Sequence, residues 1–197
     1  MHKQNQTQTK FHDEEILVIK SSEFNLWQGL KQSNLEEIIE IINKKQEFFP
    51  RSQMELDENF KQIIPYLVFK YEDSIFLMQR KDSSSEQRLK NKLSIGIGGH
   101  IRQEDISTKS IFDWAEREFH EEIDYNSDFK SEIIGILNDD SNSVGRVHLG
   151  VVFLLTGDSD QIKIKSELKS GLLVPTKDLQ ELIPKMETWS QIVSEFM

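Results

Sequence analysis

Apolar positions along the chain switch between two periods, and the switches mark out the elements. EEILVIK (14–20) is a short apolar run bounded by charge and predicts a strand. SNLEEIIEIINKK (33–45) changes to helical spacing, with Leu35, Ile38, Ile39 and Ile42 on one stripe. Ser33 and Glu36 have the spacing of a capping box at its start. IPYLVFK (64–70), the turn YEDS and IFLMQRK (75–81) predict a hairpin. The polar stretch 82–92 reads as a loop, and LSIGIGGHI (93–101) combines a strand with glycines. A helix is predicted over 111–123, with Ser110 and Asp113 as a second capping box. FKSEIIGILN and GRVHLGVVFLL are further strands separated by DDSNSVG, GLLVP is a short last strand, and TKDLQELI and METWSQIVSEFM are helical.

Strands dominate before and after the 111–123 helix, and the other helices lie toward the ends. That order lacks the strict β-α-β-α rhythm of a doubly wound sheet. It predicts an α/β fold with a mixed central sheet and helices on both faces. The strand and helix before residue 59 are expected to form an extension (1–58) packed on a main domain (59–197).

Composition narrows the function. With 37% hydrophobic residues the chain can build a sizeable core, and only the start, MHKQNQTQTK, reads as a loose tail. The absence of cysteine excludes disulfides, thiolate metal sites and a cysteine nucleophile. A net charge of −10 repels phosphate backbones, so stable nucleic-acid binding is not expected. A small anionic substrate remains compatible if a divalent cation offsets the local charge. No apolar run reaches membrane-spanning length, and the start lacks the layout of a secretion signal, so the expected location is the cytoplasm.

AEREFHEEIDY (115–125) holds the chemistry. On a helical wheel Phe112, Ala115, Phe119 and Ile123 share a stripe, with Ile111 beside it. Glu118, Glu121 and Glu122 share the adjacent face, at the edge of that stripe, where a cleft can form. Hard divalent cations suit such a helix: magnesium takes oxygen ligands and commonly binds one or two carboxylates plus substrate phosphates. Arg117, beside Glu118 and four residues before Glu121, is placed to orient one of them. The plainer alternative is a solvated acidic face.

GIGGHI (96–101) lies upstream, and the stretch from Gly98 to Tyr125 resembles the Nudix box. That pattern is a glycine, five residues, a glutamate, seven residues, then Arg-Glu-apolar-x-Glu-Glu-x-Gly-apolar. Arg117, Glu118, Phe119, Glu121, Glu122 and Tyr125 stand in register, and Gly99 supplies the glycine. Two positions depart from it. Seventeen residues separate Gly99 from Arg117 where the pattern has thirteen, and the extra four fit best in the loop RQEDISTKS. Counted forward from Gly99 the pattern's first acid is Asp105; counted back from Arg117 it is Lys109, which cannot serve. Asp124 replaces the glycine that ends the helix, and aspartate is among the few residues that tolerate left-handed geometry. With GIGGHI and DDSNSVGRVHLG, the chain resembles a bacterial subgroup of phosphoesterases with a lengthened box.

The resemblance implies an α/β/α sandwich and hydrolysis of a nucleoside diphosphate linked to another group, by water attack on phosphorus. It implies Glu118 and Glu122 as metal ligands, Glu121 as a further ligand or a base, Gly99 at the same site, and magnesium or manganese as cofactor. The implied partner is a small phosphorylated molecule, and a homodimer is compatible. Asp139, Asp140 and Glu187 compete with Glu121 as general base, with a turn or cap role as the alternative for each. Arg80, Arg146, His148 and Asp105 are candidates for substrate contact, against surface ion pairs for the arginines and an ordinary strand position for the histidine. Two other functions compete. Isopentenyl diphosphate isomerases share the fold but need a catalytic cysteine, which is absent here. A nucleotide-sensing module without catalysis would carry a degenerate box, whereas all three helix glutamates are present.

Overall fold

Every residue from Lys61 to Phe69 is buried, and this run forms the axis of the fold. The protein is seen in a computed structural model that describes residues 13–80, 92–104, 111–165 and 168–197, the side chains of Arg80 and Phe112 excepted. In chain order the regular elements begin with β1 (Glu15–Lys20), β2 (Gly29–Lys31), α1 (Leu35–Lys45), β3 (Glu47–Pro50) and α2 (Arg51–Met54). Then come β4 (Phe60–Tyr71), β5 (Ser74–Arg80), β6 (Leu93–Ser94), β7 (Gly96–Gly98), α3 (Ile111–Glu122) and β8 (Ile123–Asp124). The chain closes with β9 (Phe129–Asn138), β10 (His148–Gly157), β11 (Lys163–Ile164), β12 (Leu168–Pro175) and α4 (Thr188–Ser194).

The main sheet runs β12-β5-β4-β10-β9-β2. Strand β10 lies parallel to β4, from His148 opposite Gln62 to Thr156 opposite Lys70, while the remaining pairs are antiparallel. On its other edge β4 pairs first with β1 and then with β7. The sheet is therefore mixed, as the order of elements predicts.

Alternation along β4 feeds two cores. Ile63, Leu67 and Phe69 enter one, which α1 and α3 cover with Ile38, Ile42, Ala115 and Phe119. Ile64, Tyr66 and Val68 enter the other, covered by Leu179, Met186, Trp189 and Val193 of the C-terminal turns and α4. A strand covered on both faces reads as an almost unbroken apolar run, because neither face meets water. The three layers are those of an α/β/α sandwich.

Two local expectations are corrected. Ser33 does not cap α1: the boundary residue is Asn34, in the left-handed region at φ 57°, with no side-chain cap bond. A short amide side chain tolerates that conformation, which turns the chain into the helix by backbone geometry. Asp124 does not adopt left-handed geometry either, since the positive-φ residues other than glycine in the described chain are Asn34 and Glu72. Instead α3 runs straight into β8, which pairs with β11, so a strand ends the helix where the pattern has glycine. Ser110 lies outside the described residues.

Candidate active site

Two neighbouring segments bring the acidic helix to the glycines. β7 pairs with β4, Gly98 opposite Tyr66, and this delivers Gly99 and His100 to the rim of the sheet. α3 lies across β4 and β7, anchored by Ala115 and Phe119, both fully buried. Glu118 is one turn after Ala115 and next to Phe119, and it reaches the glycine turn. A Cβ added to Gly99 would stand 2.5 Å from Oε2 of Glu118 and 2.6 Å from its Cδ. Only glycine allows the carboxylate to rest on that backbone.

Arg117 ties the acids together. Its Nη2 donates to Oε1 of Glu118 at 2.9 Å and its Nη1 to Oε1 of Glu121 at 2.6 Å. Charge-assisted bonds of this kind hold side chains in fixed orientations. Glu118 is mostly buried, whereas Glu121 is about half exposed.

Both line a cleft of about 700 Å³. Gly98, Gly99 and His100 line it with Glu118, as do Glu14, Arg51 and Arg102. The 142–145 loop, His148, Glu187 and the start of α4 also line it. Glu122 is buried, and among the described residues it is not part of the cleft lining. Nor do the described residues contain a group of three His, Asp or Glu side chains spaced to hold a metal ion.

The loop acids serve the scaffold. Glu187 caps α4, accepting from the backbone N–H of Ser190 and of Trp189 at 2.8 Å each. It also accepts from the Tyr66 hydroxyl at 2.7 Å. Burial and the Glu187 carboxylate push the Tyr66 phenol well above its ordinary range, so it stays a neutral donor. Asp139 is buried and accepts from Gln28, Ser141 and Asn142. Burial pushes its carboxyl up, but the bonds from Ser141 and Gln28 more than offset this and leave it below the ordinary value. Asp140 accepts from the buried Lys61 ammonium at 2.7 Å, and that ammonium also donates to the Gly145 carbonyl at 3.0 Å. These bonds pin the 139–145 loop at the cleft wall.

Two histidines meet at the cleft. Nδ1–H of His148 donates to the Val144 carbonyl at 2.7 Å. Gln62 donates through Nε2 to the Met54 carbonyl, so its Oε1 accepts from Nε2–H of His100 at 2.7 Å. The two Nε2 atoms are 3.4 Å apart. Burial, with Arg51 and His148 nearby, lowers the His100 pKa well below its ordinary value, so the ring is uncharged at neutral pH.

The other expected substrate contacts fare differently. His148 reaches the cleft, while Arg146 donates from Nε to Glu58 at 2.7 Å in an exposed ion pair. The Arg80 side chain and Asp105 lie outside the described residues. Sequence reasoning missed Arg51, Arg102 and His100. His100 had a signal in its place beside Gly99, but the two arginines had none, because strand pairing brings them to the cleft.

No family model matches this chain. Protein YmaB of Bacillus subtilis is 34% identical over 206 residues, covering 94% of this chain and 98% of that protein. The crystal structure of Tm1382, assigned to the Nudix hydrolases, superposes with a TM-score of 0.79 at 32% identity, over 93% of this chain and 97% of that one. A bifunctional NMN adenylyltransferase/ADP ribose pyrophosphatase from Francisella tularensis, solved with AMP and a manganese ion, matches at TM-score 0.50 and 14% identity. That match spans 69% of this chain and 40% of the other, and at such identity it speaks to the fold alone. Identity to Tm1382 along nearly the whole of both chains, with Glu118 seated on Gly99, leads to one conclusion: the chain belongs to the Nudix hydrolase family.

Proposed function

We propose that the chain is a metal-dependent pyrophosphohydrolase that cleaves a diphosphate linkage in a nucleoside-diphosphate-type small molecule. The observation that carries this reading is the Glu118 carboxylate resting on the Gly99 backbone inside the cleft. The donors fit a hard cation in kind. Glu118 and Glu121 offer carboxylate oxygens at the cleft, and magnesium commonly uses one or two protein carboxylates, with waters and substrate phosphates completing its shell. In this proposal Glu118 and Glu121, beside Gly99 in the cleft, would hold magnesium or manganese, with Glu122 behind them on the same helix. Bound there, the cation would neutralise phosphate charge and lower the pKa of the attacking water.

The chain's own residues do the rest. Arg117 fixes the carboxylates of Glu118 and Glu121 through its two Nη bonds and so acts as a positioning residue. His148 lines the cleft and contacts the substrate there. Phosphoryl transfer asks the protein chiefly for positioning and charge stabilisation, and a preorganised cleft supplies both. No helix among the described residues is long and apolar enough to cross a membrane, and we place the enzyme in the cytoplasm.

The test is a hydrolysis panel of nucleotide sugars, nucleoside triphosphates and dinucleoside polyphosphates, with magnesium, manganese or chelator. Metal-dependent hydrolysis that Glu118→Gln abolishes supports the proposal. Turnover that survives both chelation and Glu118→Gln removes it. Nucleotide binding without turnover would indicate a sensing module instead.

A further inference from the structure

A second chemical feature of the cleft has no part in the reaction as proposed. Arg51 opens α2, in the segment that precedes the main strands, yet its side chain lines the same cleft as Glu118. The backbone puts it there. Arg51 N–H donates to the Glu14 carbonyl at 2.8 Å, and β1 then carries Leu17 against the Ile101 carbonyl and Ile16 against Arg102. The start of β1 is thus a strut that sets Arg51 and Arg102 beside the glycine turn.

The guanidinium is anchored on one side only. Nε donates to Glu55 at 3.1 Å, which fixes the plane of the group. Glu14 stands 3.7 Å from Nη1, beyond hydrogen-bond reach, and neither Nη atom makes a hydrogen bond among the described residues. An exposed pair at that distance holds weakly and yields easily to a better anion. The neighbouring ring, His100, is turned inward to Gln62. Arg102 and Lys92 line the same cleft. The outcome is a cationic fork, oriented in advance, in the same cleft as the acids proposed to hold metal.

We propose that Arg51 is a specificity-determining residue whose Nη edge binds a substrate phosphate beyond the scissile diphosphate, so that the preferred substrates carry three or more phosphates in a chain. A planar fork matches phosphate oxygens two at a time, which a lysine cannot do. A cation held at Glu118 and Glu121 would offset the charge of the scissile diphosphate; the Arg51 fork is then surplus to a two-phosphate substrate and useful to a longer one. This inference rests on the reading of the cleft as a diphosphate-cleaving site.

The experiment compares KM and kcat of wild type, Arg51→Gln and Arg51→Lys on a nucleotide sugar, a nucleoside triphosphate and a dinucleoside tetraphosphate. Arg51→Gln is expected to raise KM about tenfold or more for the longer chains, with a rise under about threefold for the nucleotide sugar and kcat nearly constant throughout. Arg51→Lys should recover part of the loss, because charge returns without the fork. Equal KM changes on all three substrates, or none, would overturn the assignment. Calorimetric binding of inorganic triphosphate keeps the two proposals separable. Weaker binding to Arg51→Gln than to wild type supports the subsite even if no substrate turns over, while equal binding refutes it whatever the panel shows.

Discussion

The cleft has two walls built on different logic. The α3 wall is local. Glu118, Arg117 and Glu121 are fixed relative to each other by helical spacing, and one glycine brings them to the turn. The Arg51 wall is assembled at long range, from α2, the residue before β1 and the residues after Gly99, held by backbone bonds between segments distant in sequence. The difference teaches where each kind of function resides. Groups that must keep sub-ångström geometry sit on one rigid element. Groups that discriminate among substrates sit on segments that can vary without disturbing it.

Substitutions can break or sharpen that contrast, and the largest effect is expected on the local wall. Glu118→Gln should lower kcat by about 10²- to 10³-fold, the range seen when a group that stabilises transition-state charge is lost. The melting temperature should stay within a few degrees of wild type, and a parallel loss of fold would assign Glu118 to structure instead. Gly99→Ala probes the contact from the other side. Its methyl group would lie 2.5 Å from Oε2, so the carboxylate must move, and a misplacement of about 1 Å costs about 10²-fold in turnover. Wild-type kinetics in this variant would show that the contact is incidental.

Arg117→Ala should cost about 10- to 100-fold, as the loss of an orienting partner usually does, with weaker metal affinity measured by titration. On the assembled wall, Arg51→Gln should act on KM and selectively, which is the sharpest contrast between the walls. The smallest effect belongs to the loop behind them. Asp139 lies below its ordinary value of 3.8, so its ionised form stabilises the fold above that pH, and the contribution fades as pH falls through its folded-state value. Thermal melts of wild type and Asp139→Asn should therefore differ most near neutrality and converge on acidification through the folded-state value. A gap that widened on acidification would contradict the assignment.

Sequence pattern exposed the local wall well. Apolar spacing located α3, and Ala115 and Phe119 are buried where the wheel puts them. It also anticipated the mixed sheet, because the order of elements lacks the strict β-α-β-α rhythm of a doubly wound fold. It failed where tertiary contacts replaced a local device. Asp124 needs no left-handed turn because β11 pairs with β8, and α1 starts on Asn34 because backbone geometry, not the Ser33 hydroxyl, sets its entry. Glu187 as a capping residue was within reach of local reasoning, whereas its bond to Tyr66 spans 121 positions and was not.

What the sequence determined by itself is the identity and spacing of the acidic helix, the glycine turn before it, and the alternation that builds two cores. Helical and strand periods are properties of neighbouring residues, so one chain suffices to reveal them. Only the tertiary structure decided that Arg51 and Arg102 face the same cleft, that Glu122 is buried and that the loop acids serve as caps and ties. Those outcomes depend on which strand pairs with which and in what register, and register is set by burial summed over the whole sheet.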